Sequence, residues 1–221
     1  MIKLRILKVL SRPLLVSLLL GFAAVPAAAL DGTLIVANRT GGSISFFDLE
    51  SRIEIARVPI GPRIPHEVEV SPDGRTVLTT EYGPNGNRGR HVVVIDVASA
   101  SVVRRIDLGP DSRPHTALFL PDGRRAVATM QDSDELALLD IEAGRVLKTF
   151  PTGGREGHMV RLSPDGTRAY VSSRGGDGTL SVVHLEEDRA PDVIVTGLGA
   201  EGLDVTPDGS EIWVANRDMQ S

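Results

Sequence analysis

Residues 158–173 read His158-Met159-Val160-Arg161-Leu162-Ser163-Pro164-Asp165-Gly166-Thr167-Arg168-Ala169-Tyr170-Val171-Ser172-Ser173. Proline presets the first dihedral of a tight turn, and glycine accepts the left-handed one, so Pro-Asp-Gly closes a sharp reversal. Short β-branched and apolar segments flank it, which is the pattern of a hairpin. The same turn stands at Ser71-Pro72-Asp73-Gly74, Leu120-Pro121-Asp122-Gly123 and Thr206-Pro207-Asp208-Gly209. The four prolines are spaced 49, 43 and 43 residues apart. A second marker follows each turn: Leu78–Glu81, Val127–Met130, Tyr170–Ser173 and Trp213–Asn216, with an earlier copy at Ile35–Asn38. These segments end at 38, 81, 130, 173 and 216 and keep the same spacings. Two independent markers with one period define an internal repeat.

Each unit reads as four short strands. In the second unit these are His66–Val70, Thr76–Thr80, His91–Val97 and Val102–Leu108, separated by Gly, Pro, Asn and Ser clusters. The longer, 49-residue unit carries its surplus at Gly83–Arg90, between its second and third strands. No 3.6-residue periodicity is visible after residue 29. Four strands in about 43 residues is the measure of a propeller blade, a sheet that must stack radially on its neighbours to bury both faces. The expected fold class is all-β, a β-propeller of four-stranded blades.

The phase of the repeat sets a further expectation. The first unit begins at its second strand, Leu34–Asn38, and the last ends at its second strand, Ile212–Asn216. About 4.5 blades are then present, against roughly 300 residues for a seven-bladed ring. The expectation is a fragment of a seven-bladed propeller; the alternative is a four-bladed ring closed by Glu201–Val205.

Composition narrows the function. The chain has 221 residues, no cysteine and a net charge of −5. Without cysteine there are no disulfides, thiolate metal sites or thiol nucleophiles. No basic run follows the first dozen residues, so nucleic acid is not an expected partner. Lys3, Arg5, Lys8 and Arg12 precede an apolar run, Leu14–Val25, and then Pro26-Ala27-Ala28-Ala29. This is a signal-peptide pattern with a cut after Ala29, so residues 1–29 are expected to be removed and 30–221 to form the repeat domain. The apolar run is too short to span a bilayer, so no membrane span is expected after cleavage. The expected location is periplasmic or secreted.

The pattern His66-Glu67-Val68-Glu69-Val70-Ser71-Pro72-Asp73-Gly74, followed by segments such as Tyr170-Val171-Ser172-Ser173 or Trp213-Val214-Ala215-Asn216, resembles the YVTN-family propeller repeats. Secreted bacterial proteins of the YncE type belong to that family. The Gly-His and Trp-Asp markers of tryptophan-aspartate repeats are missing. The resemblance implies a propeller, usually seven-bladed, and a bacterial source. It does not imply one activity, because related propellers also serve as lactonases and as quinoprotein dehydrogenase subunits.

The candidate site lies just ahead of the turns. His66, His115 and His158 each stand six residues before their turn proline, and Glu201 holds that offset in the last unit. Arg63, Arg113 and Arg155 precede the three histidines by a few residues. First strands line the channel of a propeller, so these positions should converge on its axis. Imidazoles beside guanidiniums can bind an anion, or a metal if neutral rings converge; they can equally be plain channel lining. No catalytic residue, metal ligand or cofactor is assigned. The expected role is a binding or scaffold protein for an unidentified protein or small-molecule ligand. The alternatives are a lactonase-type hydrolase using the His/Arg ring and an accessory to a periplasmic dehydrogenase.

The remaining motifs read as structure. His66-Glu67 lacks the second His of a helical zinc pair, and no Gly-x-Ser-x-Gly elbow exists. Gly175-Gly176-Asp177-Gly178 is read as a hairpin turn, and Asp132, Asp134 and Glu135 as solvated turn residues. Asp48, Asp96 and Asp140 close third strands and are read as caps on turn amides, with His184 at the same place in the fourth unit.

Overall fold

A computed structural model describes residues 32–61, 64–84 and 86–218. Arg63 and residues 1–29, the expected leader, lie outside these residues. Among the described residues, seventeen strands form antiparallel sheets in sequence order. The first sheet is β1 (Thr33–Asn38), β2 (Ser43–Asp48) and β3 (Glu54–Pro59). The second is β4 (Pro65–Val70), β5 (Thr76–Glu81), β6 (His91–Asp96) and β7 (Ser101–Asp107). The third is β8 (Pro114–Phe119), β9 (Arg125–Met130), β10 (Glu135–Asp140) and β11 (Arg145–Pro151). The fourth is β12 (Arg155–Leu162), β13 (Arg168–Gly175), β14 (Thr179–His184) and β15 (Asp192–Val195). A final hairpin pairs β16 (Ala200–Val205) with β17 (Ile212–Asn216). The strands fall within a residue or two of the positions the repeat predicts.

The second, third and fourth sheets pack both faces against neighbours, so their inner three strands read as largely apolar runs rather than as alternation. Val77, Val93 and Ile95 of the second sheet face Ile44, Phe46 and Val58 of the first. Their strand neighbours Leu78, Val92 and Val94 face Ala117, Ala126 and Ala128 of the third. The next layer joins Val127, Leu136 and Leu138 to Val160, Ala169 and Val171. Small alanines opposite large branched residues let the layers close. The inner strands β4, β8, β12 and β16 lie side by side around the axis. The chain is a β-propeller of four-stranded blades.

Two further joints hold blade to blade. At one end, the turn glycines Gly123, Gly166 and Gly209 seat on the turn prolines Pro72, Pro121 and Pro164 of the units before them. A Cβ on Gly166 would stand 2.6 Å from Cδ of Pro121, and one on Gly209 would stand 2.9 Å from Cδ of Pro164. Within a unit, Ser163 Oγ caps the turn by accepting from the Arg168 amide at 3.0 Å and bonding Asp165. That hydroxyl and the Thr167 amide hold the Asp165 carboxyl down at about 2. The Asp208 carboxyl sits at about 2 for the same reason, through Thr206 and Ser210.

The second joint lies at the axis. Every inner strand carries an irregularity in its pairing: Pro65/Val68, Pro114/Ala117, Gly157/Val160 and Ala200/Gly202. A bulge re-aims side chains and leaves backbone groups unpaired. Hydroxyls of the second strands supply the partners. Thr129 Oγ1 accepts from the Thr116 amide at 3.1 Å and donates to the His158 carbonyl in the next blade at 3.1 Å. Ser172 Oγ accepts from the Met159 amide at 3.4 Å and donates to the Glu201 carbonyl at 2.7 Å. Thr80 Oγ1 donates to the His115 carbonyl at 2.9 Å. All three hydroxyl residues are fully buried.

Thr80→Val keeps the shape and removes only the donor. It should destabilise the fold by about 1–3 kcal/mol, the cost of stranding a buried carbonyl, as read by urea unfolding. Gly166→Ala places a Cβ at φ +69 and against Pro121, and should lower the unfolding midpoint by at least the about 1–2 kcal/mol of the left-handed penalty.

Candidate functional site

The bulges turn the residues at the head of each inner strand into the channel. His66, His115 and His158 form a continuous stack. Ring centroids of His66 and His115 are 4.0 Å apart, and those of His115 and His158 are 3.7 Å apart. Glu201 continues it, with Oε1 at 3.4 Å from His158 Nε2. The four residues that share one offset in the repeat therefore do meet. His115 is 1% exposed.

The arginines separate. Arg113 is buried two residues before His115 and adopts φ 45. The equivalent positions before His158 and Glu201 are Glu156, at φ 56, and Gly199, at φ 71. Arg113 and Arg155 are thus not equivalent, contrary to their grouping by sequence. Arg113 lies over the Tyr82 ring at 4.1 Å from its centroid. Tyr82 packs edge-on against His66 and His115 at 4.8 and 5.2 Å and donates to Gln131 Oε1 at 3.0 Å. Arg155 is exposed at the start of β12, on the rim.

Beside the stack opens a polar cleft of about 390 Å3 whose lining includes Arg88, Arg113, Arg155 and Arg174. Asp132, Asp134 and Glu156 face them. Asp132 pairs with Arg88 at 2.6 Å and lies 3.9 Å from Arg113. Arg174 bridges Glu156 at 3.1 Å and Glu201 at 3.7 Å. Asp134, at φ 58, accepts from the Glu156 amide at 2.7 Å. Asp132 and Asp134 are therefore wall residues of the cleft, which corrects their reading as solvated turn. The residues missed from sequence (Tyr82, Arg88, Gln131, Asp132 and Arg174) stand at or beyond the end of a second strand. The signal was available: that end pairs with the head of the inner strand, as in Pro114 opposite Met130.

Burial decides the charge state of the stack. It pushes the His115 imidazole far below its ordinary value, and the neighbouring His158, His66, Arg174 and Arg113 push the same way. Burial, then Arg174, holds His158 down at about 4, with Glu201 opposing. Both rings are neutral at pH 7. Among the other motifs, Asp48, Asp96 and Asp140 do cap the turn amides of Ser51, Ser99 and Ala143. His184 instead bonds Asp192 at 2.9 Å. Gly175–Gly178 closes the hairpin between β13 and β14.

Radially stacked four-stranded sheets with their inner strands around one axis define the class, a repeat β-propeller. A family model described as a YNCE-like beta-propeller matches residues 17–125. Over those residues the chain is similar to the YncE-like β-propeller proteins. Hydrazine synthase subunit beta of Kuenenia stuttgartiensis is 26% identical over 200 residues, covering 71% of this chain and 51% of the relative. Protein NirF of Stutzerimonas stutzeri is 27% identical over 172 residues, covering 74% of this chain and 42% of the relative. The solved Kuenenia stuttgartiensis hydrazine synthase superposes with a TM-score of 0.71 at 20% identity, over 84% of this chain and 58% of that one. The chain spans about half the length of the curated relatives it matches.

The neutral rings carry a pH signature. Unfolded histidine takes up a proton near the ordinary value of 6.5, while the folded His158 does so only at about 4 and His115 lower still. Stability is therefore full above pH 6.5 and falls as pH drops toward 4, by about 1.4 kcal/mol per pH unit for each excluded proton. The depressed Asp165 and Asp208 act only in the lower window, as pH falls from 3.8 to about 2. Urea unfolding between pH 7 and 4 should show the loss, and His158→Gln should make it shallower.

Proposed function

We propose that this chain is an exported binding protein that holds a small anionic ligand, a carboxylate or phosphate ester, in the cleft at its channel mouth and does not turn it over. The observation that carries this reading is the convergence of four guanidiniums on one polar cleft against three carboxylates. Arg155 supports it further: among the described residues it has no carboxylate within ion-pair distance. Guanidinium forks match planar anions in a geometry that water reproduces poorly.

The walls of the cleft are held in place before a ligand arrives. Asp134 fixes the Glu156 amide, and Arg174 is clamped between two carboxylates. Left-handed backbone at Arg113, Asp134 and Glu156 costs about 1–2 kcal/mol per residue and gathers at this one cleft. Export rests on the basic-then-apolar leader with its Ala27-Ala28-Ala29 end.

Calorimetric titration with citrate, gluconate and phosphate esters at low salt tests the proposal. One of these classes should bind, more weakly as salt rises, and Arg155→Ala and Arg174→Ala should each weaken it at least tenfold with the fold intact. Binding of none, or hydrolysis of a lactone panel that His115→Gln abolishes, would overturn it; the second result would instead establish the hydrolase reading.

A further inference from the structure

His115 poses a question that the arginine cleft does not answer. Its Nε2 is buried and has no hydrogen-bond partner. The tautomer can be worked out from its neighbour. The Thr116 hydroxyl donates to the His158 carbonyl at 3.2 Å or to Met159 Sδ at 3.3 Å, and both are acceptors only. With its own proton on either acceptor, Thr116 Oγ1 accepts from His115 Nδ1, 3.1 Å away. In that tautomer Nε2 presents a bare lone pair. A buried lone pair with nothing to accept is costly, and its neighbours are another imidazole and a carboxylate.

Those neighbours are His66 and Glu67. Successive residues of a regular strand point to opposite faces. The bulge between Pro65 and Val68 breaks that alternation, so His66 and Glu67 lie side by side with Nδ1 and Oε1 at 3.1 Å. A ring nitrogen of each histidine and a carboxylate oxygen of Glu67 all lie within 4.8 Å of one another. We infer that His66, Glu67 and His115 form a binding site for a divalent zinc-type ion, with a fourth position open to the channel.

Two imidazoles and one carboxylate are a known zinc donor set, with a water in the open place. Ligand atoms at about 2.1 Å from zinc stand roughly 3.4 Å apart in a tetrahedron, so a modest side-chain rotation closes the set. The Nδ1 proton of His115 on Thr116 is the outer-shell bond that fixes a ligating ring. Arg113 and Arg174 add positive potential nearby, and Glu67 with Glu201 offsets it. The site is separate from the arginine cleft: Tyr82 packs against both imidazoles, and Arg113 lies over that ring. Nothing in it depends on the anion proposal.

The test uses the full chain without a polyhistidine tag, dialysed against zinc chloride and then metal-free buffer. Elemental analysis should find one zinc per chain, and cobalt(II) in its place should give the absorption bands of a tetrahedral ion. His66 is only half-buried, so His66→Gln and Glu67→Gln should fold, as circular dichroism can check, and each should weaken zinc at least tenfold. His184→Gln, at the remote outer strand, should retain it. A wild-type chain that holds no zinc, equal retention in His66→Gln, or loss confined to His184→Gln would each overturn the assignment.

Discussion

A hydroxyl in the second strand of each four-stranded blade, Thr80, Thr129 or Ser172, bonds to a carbonyl in the next blade, and the channel depends on that bond. The inner strands must bulge to turn His66, His115, His158 and Glu201 toward the axis. A bulge in a buried strand strands an amide and a carbonyl, which no folded protein can leave unpaired without loss. Thr129 and Ser172 each take up the amide in their own blade and the carbonyl in the following one. One side chain thus makes the local distortion tolerable and couples it to the neighbouring sheet. The apolar layers give cohesion between blades, but they would tolerate a small slide. The directional bonds at the axis do not.

The electrostatics of the channel follow from this packing. With the bulges clasped, three imidazoles have no room except on top of one another, at 3.7 to 4.0 Å. Burial disfavours the charge on His115 and His158, so these two rings are neutral. The ionic groups are displaced to the rim, where solvent shares their cost. The molecule therefore presents two chemistries along one axis: lone-pair donors in the dry interior and guanidiniums at the mouth.

Much of this was written in the sequence at the level of position. The period, the strands and the common offset of the three histidines and Glu201 needed only counting. The hydroxyls were also in view, as Thr80, Thr129 and Ser172 sit at one place in the repeat marker, but their role needs the bulge, and a bulge is a matter of pairing register. Weak alternation in segments such as His66–Val70 does not reveal it. The arginines misled for a related reason. Arg113 and Arg155 look alike near a histidine, yet one residue of offset puts the first in a strained, buried bend and the second on the rim. Asp132 looked like an ordinary turn residue because its partners Arg88 and Arg113 come from a loop insertion in another blade and from the adjoining strand.

The seating of each turn glycine on the preceding turn proline has a consequence for how such a chain can grow. The third and fourth units carry a plug for one neighbour and a socket for the other, and both are made from the same four residues. A duplicated unit would bring both halves of the joint with it and could be spliced between any two existing ones. The longer second unit shows the complementary freedom: its surplus follows the second strand, at the opposite end of that strand from the Ser71–Gly74 turn, and leaves the joint with Gly123 untouched. Copy number and loop length can then drift by recombination while the coupling stays fixed. That makes the turn, rather than the channel, the part of the repeat under the tightest steric control.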